Sequence, residues 1–189
     1  FELVSEELPA INEGEILIEN IYLSFDPTQR SWLNDVPGYL PPVQIDEVVR
    51  SGGIGRVIDS KNPDYKTGDL TFGLVGWQTH CLTKPSVEDR FRVIPDLLPM
   101  PTMLNVMGST GITAYYGLVE LGKPKSGETV LVSGAAGATG SVVVQIAKLK
   151  GCHVIGIAGG KEKCDWLKRI GADDVIDYKN YDVHKELPK

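Results

Sequence analysis

The stretch best suited to hold a phosphate group is the run of small residues from 134 to 140, which reads Gly-Ala-Ala-Gly-Ala-Thr-Gly. Binding a pyrophosphate requires backbone N–H groups that point at it, a helix N-terminus behind it and no side chain in the way. Gly137 would let the backbone approach the phosphate, and Gly140 would let a helix pack closely against a strand. We call this run the phosphate turn, and its composition predicts a dinucleotide pyrophosphate site.

The elements on either side of the phosphate turn are those that such a site requires. Residues 129–133 form a short apolar, β-branched run that is typical of a buried strand. Apolar residues then recur at the spacing of an amphipathic helix, and residues 153–158 read as a second apolar strand. Ala135 stands where the first glycine of a G-x-G-x-x-G motif usually stands, so the strict motif is broken. A glycine-rich turn in another parallel α/β fold is therefore the alternative.

The residues after the second predicted strand indicate which dinucleotide is preferred. An NAD-selective site places an Asp or Glu there to hold the ribose hydroxyls, whereas this chain has Ala-Gly-Gly at 158–160. Lys161 and Lys163 follow in the first turn of the next predicted helix, where positive charge opposes the helix dipole. They can receive a 2′-phosphate, and we predict NADP rather than NAD. The alternative is that both are ordinary surface lysines balanced by Glu162.

Composition argues against several classes of function. The chain has 189 residues, a formal net charge of -6 and a pI of about 5.1, which does not suit nucleic-acid binding. No apolar stretch reaches about 18 residues and no signal peptide opens the chain, so we expect no membrane partner. The well-separated cysteines favour a reducing, cytoplasmic location; they are Cys81, Cys152 and Cys164. Neither Cys-x-x-Cys nor His-Glu-x-x-His occurs, and we therefore predict no metal site.

Two domains are predicted, with the boundary after a proline-rich stretch. Residues 1–101 contain many short β patterns separated by glycine and proline turns, which is typical of a small barrel-like domain. Residues 102–189 contain the strand–helix–strand pattern and a third short strand at 174–177. Because a doubly wound domain normally continues to about six strands, we expect only its first half here. The first domain is expected to be incomplete as well, and the chain to be truncated at both ends.

A helical pattern opens the second predicted domain, between residues 103 and 121. Within it, Ile112, Tyr115 and Tyr116 fall at three-to-four spacing, together with Val119. This spacing predicts that they share one apolar face.

Several motifs resemble those of the medium-chain dehydrogenase/reductase superfamily. The superfamily pattern is carried by Gly-Gly-Ile-Gly-Arg-Val at 52–57 and Thr-Gly-Asp-Leu-Thr-Phe-Gly at 67–73. Four further motifs resemble the zinc-independent branch that contains prostaglandin reductases and alkenal double-bond reductases; they lie at 22–27, 76–79, 110–118 and 133–141. The similarity covers nearly the whole chain, and the motifs occur in the family's order.

This resemblance implies a fold, a cofactor and a reaction. The expected fold is α/β with a β-rich N-terminal domain, in which a GroES-like domain precedes the first half of a Rossmann doubly wound parallel sheet. NADPH would bind in the cleft between the domains. The implied reaction reduces the carbon–carbon double bond of an α,β-unsaturated ketone or aldehyde, by hydride transfer to the β-carbon and protonation at the α-carbon. The resemblance also implies a homodimer for the full-length protein and no requirement for metal.

The resemblance assigns cofactor roles to individual residues. The phosphate-turn residues Gly137, Ala138, Thr139 and Gly140 match the family's pyrophosphate turn. Lys163 matches its 2′-phosphate lysine, and Tyr178 matches a tyrosine that serves the same phosphate.

Other residues are expected nearer to the reaction. Ser109 and Thr113 fall where the family's helix approaches the nicotinamide, although relatives often have Met-Pro in place of Ser109-Thr110. Leu74 and Trp77 are candidates to line the substrate cleft, and the alternative for Trp77 is a packed core aromatic. No catalytic acid is assigned, because the family's tyrosine near the substrate carbonyl lies in sequence that follows this chain.

Two other functions stay open from the sequence. One is an NADPH:quinone oxidoreductase of the same superfamily. The other is a non-catalytic nucleotide-binding fragment, because an open half-sheet exposes an edge strand and an apolar face.

Overall fold

A computed structural model describes residues 1–36, 38, 40–86 and 88–187 and divides the chain into two compact units. The first is Phe1–Pro101 and the second is Thr102–Lys189. Pro188 and Lys189, the end of the second predicted domain, lie outside the described residues, as do Pro37, Tyr39 and Val87 in the first.

The first unit is built on an antiparallel sheet of five strands. The strands are β1 (Ile16–Leu23), β2 (Gly52–Ser60), β3 (Leu70–Leu74), β4 (His80–Thr83) and β5 (Arg92–Val93), in the spatial order β4-β1-β2-β3-β5. A short helix, α1 (Thr28–Trp32), follows β1. One face of the sheet carries the core, whose buried residues are Ile16, Ile18, Val57, Val75, Cys81 and Phe91. The prediction of a β-rich N-terminal domain is confirmed.

The second unit contains a parallel sheet of three strands with helices packed against it. Its strands are β6 (Thr129–Val132), β7 (His153–Ala158) and β8 (Asp174–Asp177), in the order β6-β7-β8. The helices are α2 (Pro101–Leu104), α3 (Ser109–Tyr115), a π-helical stretch (Tyr116–Gly122), α4 (Ala138–Leu149), α5 (Lys161–Arg169) and α6 (Val183–Glu186). The strand–helix–strand pattern predicted around the phosphate turn is therefore confirmed.

Three of the four residues of the apolar face predicted for residues 103–121 are exposed. Ile112, Tyr115 and Tyr116 are 52%, 47% and 60% exposed. The buried positions of this region are instead Gly111, Ala114 and Leu118. A Cβ at Gly111 would lie only 1.8 Å from the Val106 carbonyl oxygen, so small residues form the close contacts. The change from an α-helix to a π-helical stretch at Tyr116 also breaks the spacing on which the prediction rested.

The three parallel strands place their carboxyl ends along one edge of the sheet. The register pairs Val132 of β6 with Gly156 of β7, and Ala158 of β7 with Asp177 of β8. The phosphate turn, residues 159–160 and Tyr178 therefore follow neighbouring strands at this edge. In open α/β sheets, ligands bind at the carboxyl ends of the strands.

Candidate nucleotide site and substrate residues

Backbone amides line the open end of the phosphate turn. Gly134 adopts a φ of +56°, and the Gly137 N–H donates to the Gly134 carbonyl oxygen at 2.9 Å. Gly137 is the N-cap of α4, and the Ser141 N–H returns to its carbonyl oxygen at 2.9 Å. The first amides of a helix have no partner inside it. The amides of Ala138, Thr139 and Gly140 therefore lie where they can donate hydrogen bonds to an anion.

Steric constraints explain the glycines of this turn. A Cβ at Gly140 would lie 2.4 Å from the Gly134 carbonyl oxygen and 2.9 Å from the Ala135 Cα, so α4 can approach β6 this closely only with glycine there. A Cβ at Gly137 would meet the same carbonyl oxygen at 3.1 Å.

Ala135, which breaks the strict motif, faces away from the open end of the turn. Its side chain is fully buried in the core of the second unit. Its N–H donates to the Ile157 carbonyl oxygen at 3.0 Å, which ties the turn to β7. A methyl group at position 135 therefore does not obstruct a phosphate at the amides of α4.

At the end of β7, the ring of Tyr178 lies against Gly159. A Cβ at Gly159 would lie 2.6 Å from Tyr178 Cζ and 2.7 Å from its hydroxyl oxygen. The Tyr178 N–H donates to the Ala158 carbonyl oxygen at 3.1 Å, and 57% of the residue is exposed. The Tyr178 ring thus partly occupies the space that the small residues at 158–160 leave open. The exposed part of the ring can contact a ligand.

The two lysines of α5 differ in their surroundings. Lys161 Nζ forms an ion pair with Asp165 Oδ2 one turn later, and this contact lowers the pKa of Asp165 below its ordinary value. Lys163 is exposed, and among the described residues no ion pair involves it. Of the two lysines expected to receive a 2′-phosphate, Lys161 is thus engaged in an exposed ion pair, and Lys163, which forms none among the described residues, is the uncommitted one.

Sequence reasoning missed a carboxylate beside this loop. Asp177 is the last residue of β8, and its Oδ1 accepts the Gly160 N–H at 2.8 Å. The Lys179 N–H and the Asn180 side-chain amide also donate to it. These hydrogen bonds, that of Gly160 foremost, lower its pKa below the ordinary value. Only the pairing of Ala158 with Asp177 across the sheet could have indicated this contact.

Ser109 and Thr113 share one side of α3. Ser109 is its first residue, and the Thr113 hydroxyl donates to the Ser109 carbonyl oxygen at 2.7 Å. Both residues are exposed. The Thr113 oxygen therefore keeps its lone pairs for a donor from a ligand, while its proton is used within the helix.

In the first unit, the two candidate substrate residues have different environments. Leu74 ends β3 and lines a cavity of about 280 Å³ with Val48, Arg50, Gln78 and Asp89, among other residues. Among the described residues that line this cavity, Trp77 does not occur. It is 38% exposed and stacks on Phe25 with ring centroids 6.0 Å apart, so it is not a packed core aromatic.

The thiols of the chain are buried, and that of Cys81 also borders the cavity lined by Leu74. Cys81, Cys152 and Cys164 are all buried and free. Burial raises the pKa of Cys81 to about 11, with Asp89 as a second cause, and burial also raises the pKa of Cys164. Over the described ranges, no group of three or more His, Cys, Asp and Glu residues is placed to hold a metal ion. In the same residues, no helix combines the length and apolar character needed to cross a membrane.

Comparison with known proteins agrees with this architecture. A family described as the N-terminal domain of oxidoreductase matches residues 1–89, and one described as zinc-binding dehydrogenase matches residues 138–189. The chain is 40% identical over 190 aligned residues to NADPH-dependent curcumin reductase of Escherichia coli, covering 100% of this chain and 54% of that protein. It is 43% identical over 190 aligned residues to prostaglandin reductase 1 of Oryctolagus cuniculus, covering 100% of this chain and 52% of that protein.

A solved structure shows the same fold. The crystal structure of CurA from Vibrio vulnificus in complex with NADPH superimposes with a TM-score of 0.88 at 39% identity, covering 98% of this chain and 55% of that one. The predicted order of a GroES-like domain followed by the first half of a Rossmann sheet is confirmed. Over its length the chain is therefore similar to medium-chain dehydrogenases/reductases, and in particular to relatives named prostaglandin, curcumin and alkenal reductases. It spans about half the length of the curated relatives it matches.

Proposed function

We propose that this chain forms part of an NADPH-dependent reductase that acts on the carbon–carbon double bond of α,β-unsaturated ketones or aldehydes. The observation that carries the proposal is the end of β7, where glycine replaces the ribose-binding acid and the uncommitted Lys163 follows in the first turn of α5. A 2′-phosphate finds a cation there and meets no carboxylate from β7 itself.

The residues present fit a dinucleotide phosphate. Gly137 and Gly140 keep side chains out of the tightly packed turn, and the first amides of α4, which begins after Gly137, have no partner inside the helix. In the proposed arrangement, Gly137, Ala138, Thr139 and Gly140 hold the pyrophosphate, and Lys163 with Tyr178 holds the 2′-phosphate. When bound, NADPH supplies the hydride for the reduction. The names of the relatives support NADPH as the cofactor and reduction as the reaction class.

The remaining assignments are part of the same proposal. Ser109 and Thr113 would serve the nicotinamide end, and Leu74 and Trp77 the substrate. The family resemblance supports a homodimer for the full-length protein. Light scattering tests this by measuring the molar mass in solution. A cytoplasmic location follows from the distant cysteines, which are free in the structure.

Two measurements test the proposal. Calorimetric titration with NADPH and, separately, with NADH should give tighter binding of NADPH. Consumption of NADPH is then followed with benzalacetone, with its saturated analogue as a matched control and with menadione as a quinone. Turnover of benzalacetone but not of the analogue supports the reductase. Equal preference for NADH would overturn the cofactor assignment, and turnover of menadione alone would identify a quinone oxidoreductase.

A further inference from the structure

Asp177 joins the two loops between which the proposed 2′-phosphate site lies. Its Oδ1 accepts the Gly160 N–H at 2.8 Å and the Lys179 N–H at 3.1 Å. Its Oδ2 accepts the Asn180 side-chain amide at 2.7 Å. The residue is only 9% exposed. A single buried carboxylate thus links the end of β7 to the residues that follow β8.

The residues fixed by this carboxylate are neighbours of the proposed phosphate ligands. Gly160 is the N-cap of α5, with a φ of +95°, and Lys163 lies in the first turn of that helix. Tyr178 directly follows Asp177 and lies against Gly159. Loss of the carboxylate would release the Gly160 amide and with it the entry to α5.

Asp177 has little capacity left for a ribose hydroxyl, because three of the roughly four acceptor sites of its carboxylate are used within the protein. Both of its oxygens accept hydrogen bonds, from Gly160 after β7 and from Lys179 and Asn180 after β8. Charge-assisted bonds of this kind are about twice as strong as neutral ones. The carboxylate therefore differs in role from the acid that NAD-selective folds place at the end of the second strand.

We propose that Asp177 is a positioning residue that holds the β7–α5 loop in the form that binds a 2′-phosphate. This inference rests on the proposed function and deepens it. For the change in phosphate affinity when Asp177 is removed, it predicts the opposite direction from that expected for charge repulsion alone. A negative charge near a phosphate should weaken binding, so its removal would strengthen binding. If Asp177 holds the loop, its removal weakens binding instead.

The test is calorimetric titration of the protein with 2′,5′-ADP and with 5′-AMP, which differ in the phosphate on the 2′-oxygen. Asp177→Asn keeps the shape of the side chain and an acceptor oxygen but loses the charge. We expect it to weaken 2′,5′-ADP binding about fivefold, because charge-assisted hydrogen bonds are replaced by neutral ones. The affinity for 5′-AMP should change much less. Asp177→Ala should act in the same direction and more strongly.

A control variant separates the loop from net charge. Asp182→Asn removes a carboxylate five positions later, which caps α6 by accepting the His184 N–H. It should leave 2′,5′-ADP binding unchanged or slightly stronger. Unchanged or tighter binding of 2′,5′-ADP by Asp177→Asn would overturn the positioning role.

Two further measurements keep the inference testable if these variants unfold or if the cofactor assignment fails. Asn180→Ala leaves the Asp177 charge in place and removes one of its partners, and it should also weaken 2′,5′-ADP binding. Hydrogen exchange of the Gly160 amide needs no nucleotide: it should be slow in the wild-type chain and faster in Asn180→Ala. A wild-type chain without preference for 2′,5′-ADP would refute the proposed function alone, whereas an unprotected Gly160 amide would refute the role of Asp177.

Discussion

The ring of Tyr178 occupies the space directly above Gly159, so closely that any side chain at residue 159 would overlap it. Gly159→Ala should therefore displace the ring and weaken NADPH binding, by about tenfold or ~1.4 kcal/mol. Calorimetry checks the affinity, and a double-variant cycle checks the cause. In a Tyr178→Ala background, Gly159→Ala should have no further effect. A full additional loss in that background would show that the ring is not what the methyl group displaces.

The two lysines of α5 provide a matched pair. Lys163→Ala removes the uncommitted cation and should cost about 1.5 to 3 kcal/mol of NADPH binding, with a much smaller cost for NADH. Lys161→Ala removes the same charge two residues earlier, from an exposed lysine already paired with Asp165. It should change NADPH affinity by less than about 1 kcal/mol. Equal losses for both nucleotides in Lys163→Ala would contradict the 2′-phosphate assignment.

Gly140 should be essential for the stability of the second unit. Alanine there places a methyl group against the backbone of Gly134 and Ala135, and such overpacking typically costs about 1 to 3 kcal/mol. Urea unfolding measures the loss. A Trp32→Phe/Trp77→Phe background leaves Trp166 as the single tryptophan, so its fluorescence reports this unit. Gly117→Ala is the control, because a Cβ at Gly117 has no described neighbour within 4 Å. Comparable destabilisation by both changes would refute the steric argument.

Acid should weaken the second unit through Asp173. The hydrogen bond from Lys148, followed by that from the Val154 N–H, holds the pKa of Asp173 below its ordinary value. A carboxyl whose pKa is lowered by folding contributes stability above its unfolded pKa, and this contribution is lost as the pH falls through the folded pKa. Asp173→Asn should therefore be less stable than the wild type at neutral pH. The difference should shrink as the solution is acidified below about pH 4. Urea unfolding over a pH series measures it, and a difference that does not vary with pH would contradict the assignment.

Patterns in neighbouring residues were enough to predict the strands and helix around the phosphate turn. The strand, phosphate turn, helix and strand from residues 129 to 158 follow from apolar periodicity and from glycines with a steric purpose. Asp177 lay beyond such reasoning, because its contact with Gly160 depends on the register between β7 and β8. The ion pair of Lys161 with Asp165, by contrast, could have been predicted, because oppositely charged residues four positions apart on a helix are neighbours.

The exposure of the apolar face at residues 103–121 could not be predicted, for another physical reason. Periodicity assigns the buried face to the largest apolar side chains, but here Gly111 and Ala114 are buried because backbones approach closely. Ile112, Tyr115 and Tyr116 are exposed as a result. The sequence could not decide whether Trp77 is a cleft residue or a core aromatic. A partly exposed tryptophan that stacks on Phe25 has the same sequence pattern as a buried one.

The burial of all three cysteines has a consequence for an enzyme with the proposed substrates. Enones and enals are electrophiles that alkylate thiolates, so a reductase of this kind is exposed to covalent inactivation by the compounds it consumes. Only the thiolate is strongly nucleophilic, and with a pKa of about 11 the Cys81 side chain stays protonated at neutral pH. We expect mass spectrometry to find the folded chain unmodified after incubation with excess benzalacetone, and the urea-unfolded chain alkylated. Rapid labelling of the folded chain would show that burial gives no such chemical resistance.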